Sequence, residues 1–550
     1  MEKEINKNTS DYEEEEILNE EDNATGVWKV ITIIESANLD IFLDENNTLQ
    51  VLLDQSTGKI VELDSDTFKN WVLYQCYEHD KKPPGTESII KAVKIIDTKT
   101  RLKTKNTKKL YVRVAEEGSG VFWYDLGRKA VRYDKNGWAI KDAPVLFRRF
   151  NTQKPQVEPL QGKGLDDFIR LINLSSRDDE ILLKTFIVSA FIPDFPHPIL
   201  VLHGQQGSSK STTSRFLKEI IDPSTLKTRS IAGKQQDFTI AMASNWAMFY
   251  DNITNLTVEQ SDQLCRSSTG EGVGQRKLYT DKEEVVFNFK NILGLNGVNC
   301  VANKPDLLDR SVIIKLSRIP ESLRKTEKEI ESTFEKMKPY ILGECFDIAS
   351  EAIKIEPSIK LKKYPRMADF AQWGFAINEV IKTGGEAFLQ AYENNILTQN
   401  EKAVEVNPVA VAVMNLIKSD KVGEITGSPE YIYKKLISNA KQYDLDYMRD
   451  KYWPKNSSWL VRKMEEIIPN LEKLGISVSH YKQGGKRWVN IADKTRAKVD
   501  INSFTGGSLL VKDGWMDADF INEEIRNSYY EFDNEKEFVT DEINVDEIQF

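Results

Sequence analysis

The spacing of apolar and polar residues changes character several times along the 550 residues. Residues 1–24 show no period and read as a disordered, acidic N-terminus. From there to residue 150, short apolar runs at 28–34, 48–53, 110–114, 121–126 and 130–134 are broken by Pro83-Pro84-Gly85, Gly118-Ser119-Gly120 and Lys135-Asn136-Gly137. Runs of that length between turn residues predict strands, so residues 25–150 are expected to form a mostly β N-terminal domain. Residues 151–164, interrupted by Pro155, Pro159, Gly162 and Gly164, read as a linker. Helical spacing at 165–174 and 179–192 leads into strand and helix runs that alternate to about residue 317, the sign of an α/β core on a parallel sheet. Residues 321–400 look helical, 405–495 read as a smaller α+β unit, and 500–550 as an acidic tail. The expected fold class is multidomain α/β, without an internal repeat.

Composition narrows the class. With 29% charged residues, and no uncharged apolar run near the roughly 18 residues a membrane helix needs, the chain is expected to be soluble and cytoplasmic, with no membrane partner. Its polar, acidic start is unlike a secretory or transit signal. Cys76, Cys265, Cys300 and Cys345 contain no CxxC pair, so neither a disulfide framework nor a zinc ribbon is supported, and Cys76 with His79 is a half-site lacking its second pair. The net charge of −10 conceals a partition: residues 1–22 carry −8, residues 513–550 carry −11, and the body between them carries +9. A mildly basic body leaves room for a nucleic-acid partner.

The strongest chemical signal begins at Pro198. An apolar strand enters Gly204-Gln205-Gln206-Gly207-Ser208-Ser209-Lys210-Ser211-Thr212, and 211–221 continues as a helix. A phosphate-binding loop needs this context: backbone N–H groups at a helix start cradle phosphates, Lys210 reaches the β and γ oxygens, and Ser211 binds Mg²⁺. The Gly usual before the Lys is Ser209 here. About forty residues on, the apolar run 246–250 ends in Asp251-Asn252, which makes Asp251 the Walker B candidate and second Mg²⁺ contact; a strand-ending turn is the plain alternative. Asn252 stands where a catalytic Glu is common and cannot accept a proton, leaving Glu259 or Glu271 as bases to consider. The strand 291–295 ends at Asn296, either a γ-phosphate contact or half of an Asn-Gly turn. Arg310, ahead of the strand 312–316, is either an arginine finger for a neighbouring subunit or the partner of Asp306 or Asp309.

Phosphate loop, Asp-Asn strand, Asn-Gly strand and Asp-Arg loop, in that order over about 110 residues, look like an AAA+ ATPase with a helical lid. The segments 264–284 and 364–377 resemble those of ATPases encoded by staphylococcal cassette chromosomes and pathogenicity islands, a family similar in its core to minichromosome-maintenance helicases and more distantly to superfamily-three and poxvirus helicase-primases. The resemblance covers roughly residues 100–490. It implies Walker A at Lys210 and Ser211, Walker B at Asp251, sensor 1 at Asn296, a trans finger at Arg310 and sensor 2 at Arg366. It also makes the strand–turn–strand at 275–287 look like a pore hairpin, with Lys277 and Lys282 facing DNA.

Two further basic regions suit DNA. Lys99, Arg101, Lys103 and Lys105 alternate, which on a strand would place them on one face for phosphate contact, or on a solvated edge. The C-terminal unit reads as a winged helix: residues 456–464 start a third helix carrying Arg462, and a hairpin turning at Gly484-Gly485 carries Lys482, Lys486 and Arg487, a set that serves duplex DNA or protein docking. Together these features lead to an ATP- and Mg²⁺-dependent DNA helicase and replication initiator of a mobile element. It would act on single- and double-stranded DNA as a homo-oligomeric ring, by resemblance a hexamer, with the aromatic, acidic tail offered to a replication partner. A nucleic-acid remodeller or sensor in defence and a nucleotide-gated DNA-binding scaffold are the alternatives. No primase carboxylate cluster stands out; Asp517 and Asp519 fall in the tail.

Overall fold

The computed structural model describes residues 26–103, 107–118, 120–231, 233–270, 273–276, 284–287, 290–297, 304–405, 407–442 and 453–496, with 510–511 and 514–515 beyond them. The chain divides into two compact units, 1–492 and 493–550. In the second, Leu510–Val511 pairs with Gly514–Trp515, and the rest of the acidic tail lies outside the described residues, as does the acidic start.

The N-terminal domain is mixed, not mostly β. Helix α1 (26–36) occupies the first run expected to be a strand. Its Val and Ile content favours strands, but the buried positions Val27, Val30, Ile31 and Ile34 repeat with the three-and-four spacing of a helix. Strands β1 (Asp40–Leu43), β2 (Leu49–Asp54) and β3 (Lys59–Glu62) form an antiparallel meander. Helices α2 (Asp66–Asp80) and α3 (Thr86–Lys103) complete its core through Phe68, Val72, Ile89, Val93 and Ile96. Lys99, Arg101 and Lys103 therefore close a helix. Alternate residues of a helix diverge by about 200°, so the single basic face expected of a strand does not exist. Lys99 pairs with Glu35, and Arg101 bonds Asp97 at 3.0 Å and the Asn47 carbonyl at 3.0 Å. Lys105 lies outside the described residues.

Strand β4 (Leu110–Tyr111) pairs with β9 (Leu146–Phe147), enclosing the antiparallel meander β5 (Val114–Gly118), β6 (Val121–Asp125), β7 (Ala130–Asp134) and β8 (Gly137–Lys141). This second sheet packs Tyr124 and Tyr133 around Phe346, so it shares the main core of the molecule. The stretch 151–164 is extended but pinned along its length: Leu160 N–H donates to the Pro339 carbonyl at 3.0 Å, and the Gly164 and Leu165 N–H groups donate to Glu344.

Helices α4 (Leu165–Leu171) and α5 (Arg177–Ser189) lead to β10 (Ile199–His203) and α6 (Lys210–Ile221). There follow α7 (Gln235–Ala243), β11 (Ala247–Tyr250), α8 (Val258–Thr269), the antiparallel pair β12 (Val273–Arg276) and β13 (Glu284–Phe287), β14 (Ile292–Gly297), α9 (Pro305–Leu308) and β15 (Ser311–Lys315). The central sheet has the order β11-β14-β10-β15 with every pairing parallel. Both faces are covered, as a parallel sheet requires. Leu200, Leu202, Phe249 and Ile314 face the main core, while Ile199, Val201, Tyr250 and Ile313 enter a second core with α7, α8 and α9.

Three long helices follow, α10 (Glu327–Ile355), α11 (Ala368–Val380) and α12 (Gly385–Glu405). The C-terminal elements are α13 (Pro408–Ser419), β16 (Glu424–Gly427), α14 (Pro429–Gln442), α15 (Ser457–Glu465), α16 (Ile468–Lys473), β17 (Ile476–Gln483) and β18 (Lys486–Asp493). Their sheet runs β16-β18-β17, and their apolar residues form a separate core. Among the described residues no helix is long and apolar enough to cross a membrane.

Candidate nucleotide site and arginine cluster

Three parallel strands deliver the polar residues of the site at their C-terminal ends. After His203 the chain turns at Gly204 (φ 155°), where a Cβ would stand 2.2 Å from the Leu316 carbonyl oxygen, so only glycine fits. Lys210 opens α6, and its ammonium donates to the Gly204 carbonyl at 2.8 Å and the Gln205 carbonyl at 3.1 Å, with Ser208 Oγ at 3.5 Å. Desolvation lowers the Lys210 pKa from the usual lysine value against the pull of Asp251. The Ile319 N–H donates to the Gly207 carbonyl at 3.3 Å, which lays the loop after β15 over the loop that precedes α6. Between them is a cavity of about 850 Å³ lined by Gln206, Gly207, Ser209, Thr212, Ile319 and Leu323.

Ser209 takes the left-handed conformation (φ 61°, ψ 26°) that the usual glycine would adopt freely. That conformation costs a non-glycine residue about 1–2 kcal/mol, while glycine loses roughly 0.5–1 kcal/mol more entropy on folding. Ser209→Gly is therefore expected to raise stability by no more than about 1 kcal/mol, read as a higher denaturant midpoint with unchanged slope. A lower midpoint would show that the serine side chain makes a contact outweighing its strain.

The register of β11 on β14 sets Tyr250 opposite Leu295, so Asp251 emerges level with Asn296. Ser211 Oγ donates to Asp251 Oδ1 at 2.9 Å, which brings the two expected Mg²⁺ contacts together. Asn296 is buried: its Oδ1 accepts the Asn252 N–H at 3.0 Å, and its amide donates to Ser214 Oγ at 2.9 Å. The Asn296 carbonyl also accepts the Ile253 N–H at 2.9 Å. Asn296 thus fixes the turn after β11 to α6. Asn252 itself is left-handed (φ 56°), a conformation in which asparagine is enriched several-fold and glutamate is not. Backbone geometry accounts for the amide where a glutamate is common. Ser214, overlooked in the sequence, lies one helical turn after Ser211 on α6. Glu259 sits in the first turn of α8; Glu271, Lys277 and Lys282 lie outside the described residues.

The far end of α6 is locked. Asp222 is fully buried and accepts Arg113 Nε at 2.9 Å, Lys218 Nζ at 2.8 Å and the N–H groups of Trp246 and Ala247 at 3.0 and 3.2 Å. Arg113 also donates to the carbonyls of Asp125, Lys154 and Pro223. Gln156 and the Tyr124 hydroxyl cap the last α6 carbonyls, with Gln156 Nε2 on Ile220 at 2.9 Å and Tyr124 on Ile221 at 3.0 Å. The second N-terminal sheet, the stretch after it, α6 and β11 meet at this one carboxylate. Desolvation pushes the Asp222 pKa up, but Lys218 and Arg113 outweigh it and hold it at about 2.

Arg310 and Arg366 stand elsewhere. The Arg310 carbonyl accepts the Ile199 N–H at 2.8 Å, so Arg310 lies at the N-terminal end of β10, roughly 16 Å along the strand from Gly204. Its guanidinium pairs with Asp306, and Arg366 joins the same carboxylate at 2.6 Å. Burial pushes Asp306 up, yet the two arginines hold its pKa below the usual value. In the C-terminal unit, Arg462, Lys482, Lys486 and Arg487 are exposed. None of these four has an ion-pair partner among the described residues. The hairpin turns through Gly484 (φ 59°) and Gly485 (φ 76°).

Residues 165–398 match the family model of the actinomycete integrative conjugative element replication protein, and residues 409–503 match the model of that protein's C-terminal domain. Over these residues the chain is similar to a replication protein of a mobile element. The first match spans the central sheet with Lys210, Asp251, Asn296, Arg310 and Arg366, and the second spans the hairpin with Lys482, Lys486 and Arg487. The matched family is of conjugative elements, whereas the motifs resemble proteins of cassette chromosomes and pathogenicity islands; replication of a mobile element is what the two have in common. Solved apo structures of the NrS-1 C-terminal region are similar at 14% identity. One has a TM-score of 0.40 and covers 84% of this chain and 98% of that one; a second has 0.41, 85% and 99%. Among curated proteins none matches.

Proposed function

We propose that this chain is a replication protein of a mobile element, an AAA+ ATPase that acts on DNA as a ring of identical subunits, a helicase and initiator for its element. The observation carrying this reading is the hydrogen bond from Ser211 to Asp251 beside Lys210, just past the ends of β10 and β11, the two parallel strands that flank β14. A hydroxyl and a carboxylate so placed fit Mg²⁺, which binds proteins through one or two carboxylates and takes its other ligands from phosphates and water. Bound there, the ion would neutralise charge on the β and γ phosphates. Lys210 would leave its loop carbonyls for phosphate oxygens, and the N–H groups opening α6 would hold the same anion. Asn296 keeps the turn carrying Asp251 and Asn252 in place, so the amide of Asn252 orients water without taking its proton.

Arg310 and Arg366 are too distant to serve their own phosphate loop and would act on the nucleotide of the next subunit, which makes the ring part of the site. DNA would be gripped by the β12–β13 hairpin and by the C-terminal unit read as a winged helix, whose unpaired cations suit phosphate contacts. A second reading, a nucleotide-gated DNA-binding scaffold, is favoured by one feature, the absence of a carboxylate directly after Asp251.

Mixed variants test the shared site. Arg310→Ala alone should bind nucleotide without hydrolysing it, and mixing it with Lys210→Ala should restore part of the turnover at interfaces that combine an intact loop with an intact arginine. No recovery in freshly assembled mixtures would count against a shared site.

A further inference from the structure

The loop carrying Arg310 is tied to the C-terminal unit by a continuous set of polar contacts. Asp306 and Asp309 flank Arg310 in sequence. Asp306 holds both Arg310 and Arg366, and Asp309 Oδ2 takes Arg366 Nη1 at 3.5 Å. The other oxygen of Asp309 accepts Lys473 Nζ at 2.6 Å. Lys473 is the last residue of α16 and stands three positions before β17. The eight residues of β17 span about 25 Å to the exposed basic turn.

The same helix is fixed from behind. Asn470 of α16 is buried and donates to Asn400 Oδ1 of α12 at 3.0 Å. From α12, Gln399 donates to the Ser311 carbonyl at 2.8 Å, and Asn395 exchanges hydrogen bonds with Ile313 at 2.6 and 3.0 Å. These bonds close the open edge of β15, the strand that follows Arg310. A displacement of α16 would thus reach the arginine loop directly through Lys473 and indirectly through α12.

Charge explains why the acids are there. Two guanidinium groups converging on one spot repel each other, and the Asp306 carboxylate between them removes that cost while fixing their spacing. Asp309 is one-fifth exposed and Lys473 more than a third, so their pair contributes little to folding. A contact of small energetic worth between the arginine loop and α16 is suited to transmit a change rather than to hold the fold.

We propose that Asp306 and Asp309 are positioning residues for the Arg310–Arg366 pair, and that Lys473 links them to the C-terminal unit, so that DNA on the basic hairpin sets where the pair stands. The proposal rests on the reading of Arg310 and Arg366 as acting across a subunit boundary.

Lys473→Met and Lys473→Arg in the full chain test it by two readouts, each with and without a duplex oligonucleotide. One is the ratio of DNA-stimulated to basal ATP turnover. The other is backbone hydrogen exchange over residues 306–311, which needs no hydrolysis. Coupling between sites is typically about 5- to 150-fold. Lys473→Met should bring the stimulated rate to within about twofold of basal and remove the exchange response to DNA. Lys473→Arg should retain both, and duplex affinity should stay the same in all three proteins. A Lys473→Met protein with the wild-type ratio and exchange response overturns the proposal, as does one whose basal and stimulated rates fall by the same factor. Wild-type chain that shows the exchange response but no turnover would remove the ATPase reading and leave this link standing.

Discussion

Lys210→Ala is expected to abolish ATP hydrolysis while leaving the fold intact. The ammonium sits among the Gly204 and Gln205 carbonyls and the Ser208 hydroxyl, at the start of α6 and within reach of whatever the loop encloses. Desolvation lowers its pKa against the pull of Asp251. Removing one preorganised donor to transition-state charge typically costs about 10²- to 10³-fold, or roughly 3–4 kcal/mol, and Lys210 brings a full positive charge. Turnover measured by phosphate release should therefore fall at least about 10²-fold. The carbonyls it releases are near solvent, so the unfolding midpoint should move little. Turnover within tenfold of wild type in a folded variant would remove Lys210 from the site.

Arg113→Met should be strongly destabilising. Arg113 is 2% exposed and stands in the left-handed region (φ 65°), a strain the protein tolerates for the contacts made there. It joins Asp222 to three backbone carbonyls drawn from the second N-terminal sheet, the stretch after it and the segment following α6. Its loss leaves Asp222 with Lys218 as its only cation and takes the donor from the carbonyls of Asp125, Lys154 and Pro223, at about 1–3 kcal/mol for each buried acceptor left unsatisfied. The sign of the acid dependence follows from Asp222. Its carboxylate, held at about 2 in the folded protein against an ordinary 3.8, contributes stability that is fully present above about pH 4 and is lost as pH falls through 2. Loss of Arg113 raises that pKa, so the variant should also unfold at higher pH than wild type. Arg113→Lys keeps a charge but cannot reach four acceptors, and should recover only part of the loss. An unfolding free energy within about 1 kcal/mol of wild type, by urea titration, would contradict the network's role.

What could be read from the sequence was local. The strand, turn and helix around Lys210 could be read because strand, small-residue turn, Lys-Ser and helix are contiguous, and the strand ending at Asp251 because an apolar run stops at a carboxylate. The β15 neighbourhood was half legible: Arg310 flanked by Asp306 and Asp309 had an ion pair as its stated alternative, and the structure makes that pair. The first helix was missed because Val30, Ile31, Ile33 and Ile34 favour strands by type while their burial follows helical spacing. The basic stretch after residue 98 was misplaced because alternation in sequence was taken for one strand face, whereas α3 simply continues through Lys103. The residues that organise the site from a distance could not be found locally. Arg113 and Asp222 are 109 positions apart, and Asp309 and Lys473 are 164 apart. Pairs of that kind become visible only when the sheet and helices bring them together.

The central claim is hydrolysis of ATP at Lys210, Ser211 and Asp251 in the service of DNA, and steady-state ATP turnover by the full chain at saturating Mg²⁺ and ATP, with and without DNA, tests it most directly. Turnover should be measurable and should rise with DNA. Turnover indistinguishable from buffer in the presence of DNA, from protein shown to be folded and to bind nucleotide, would contradict it.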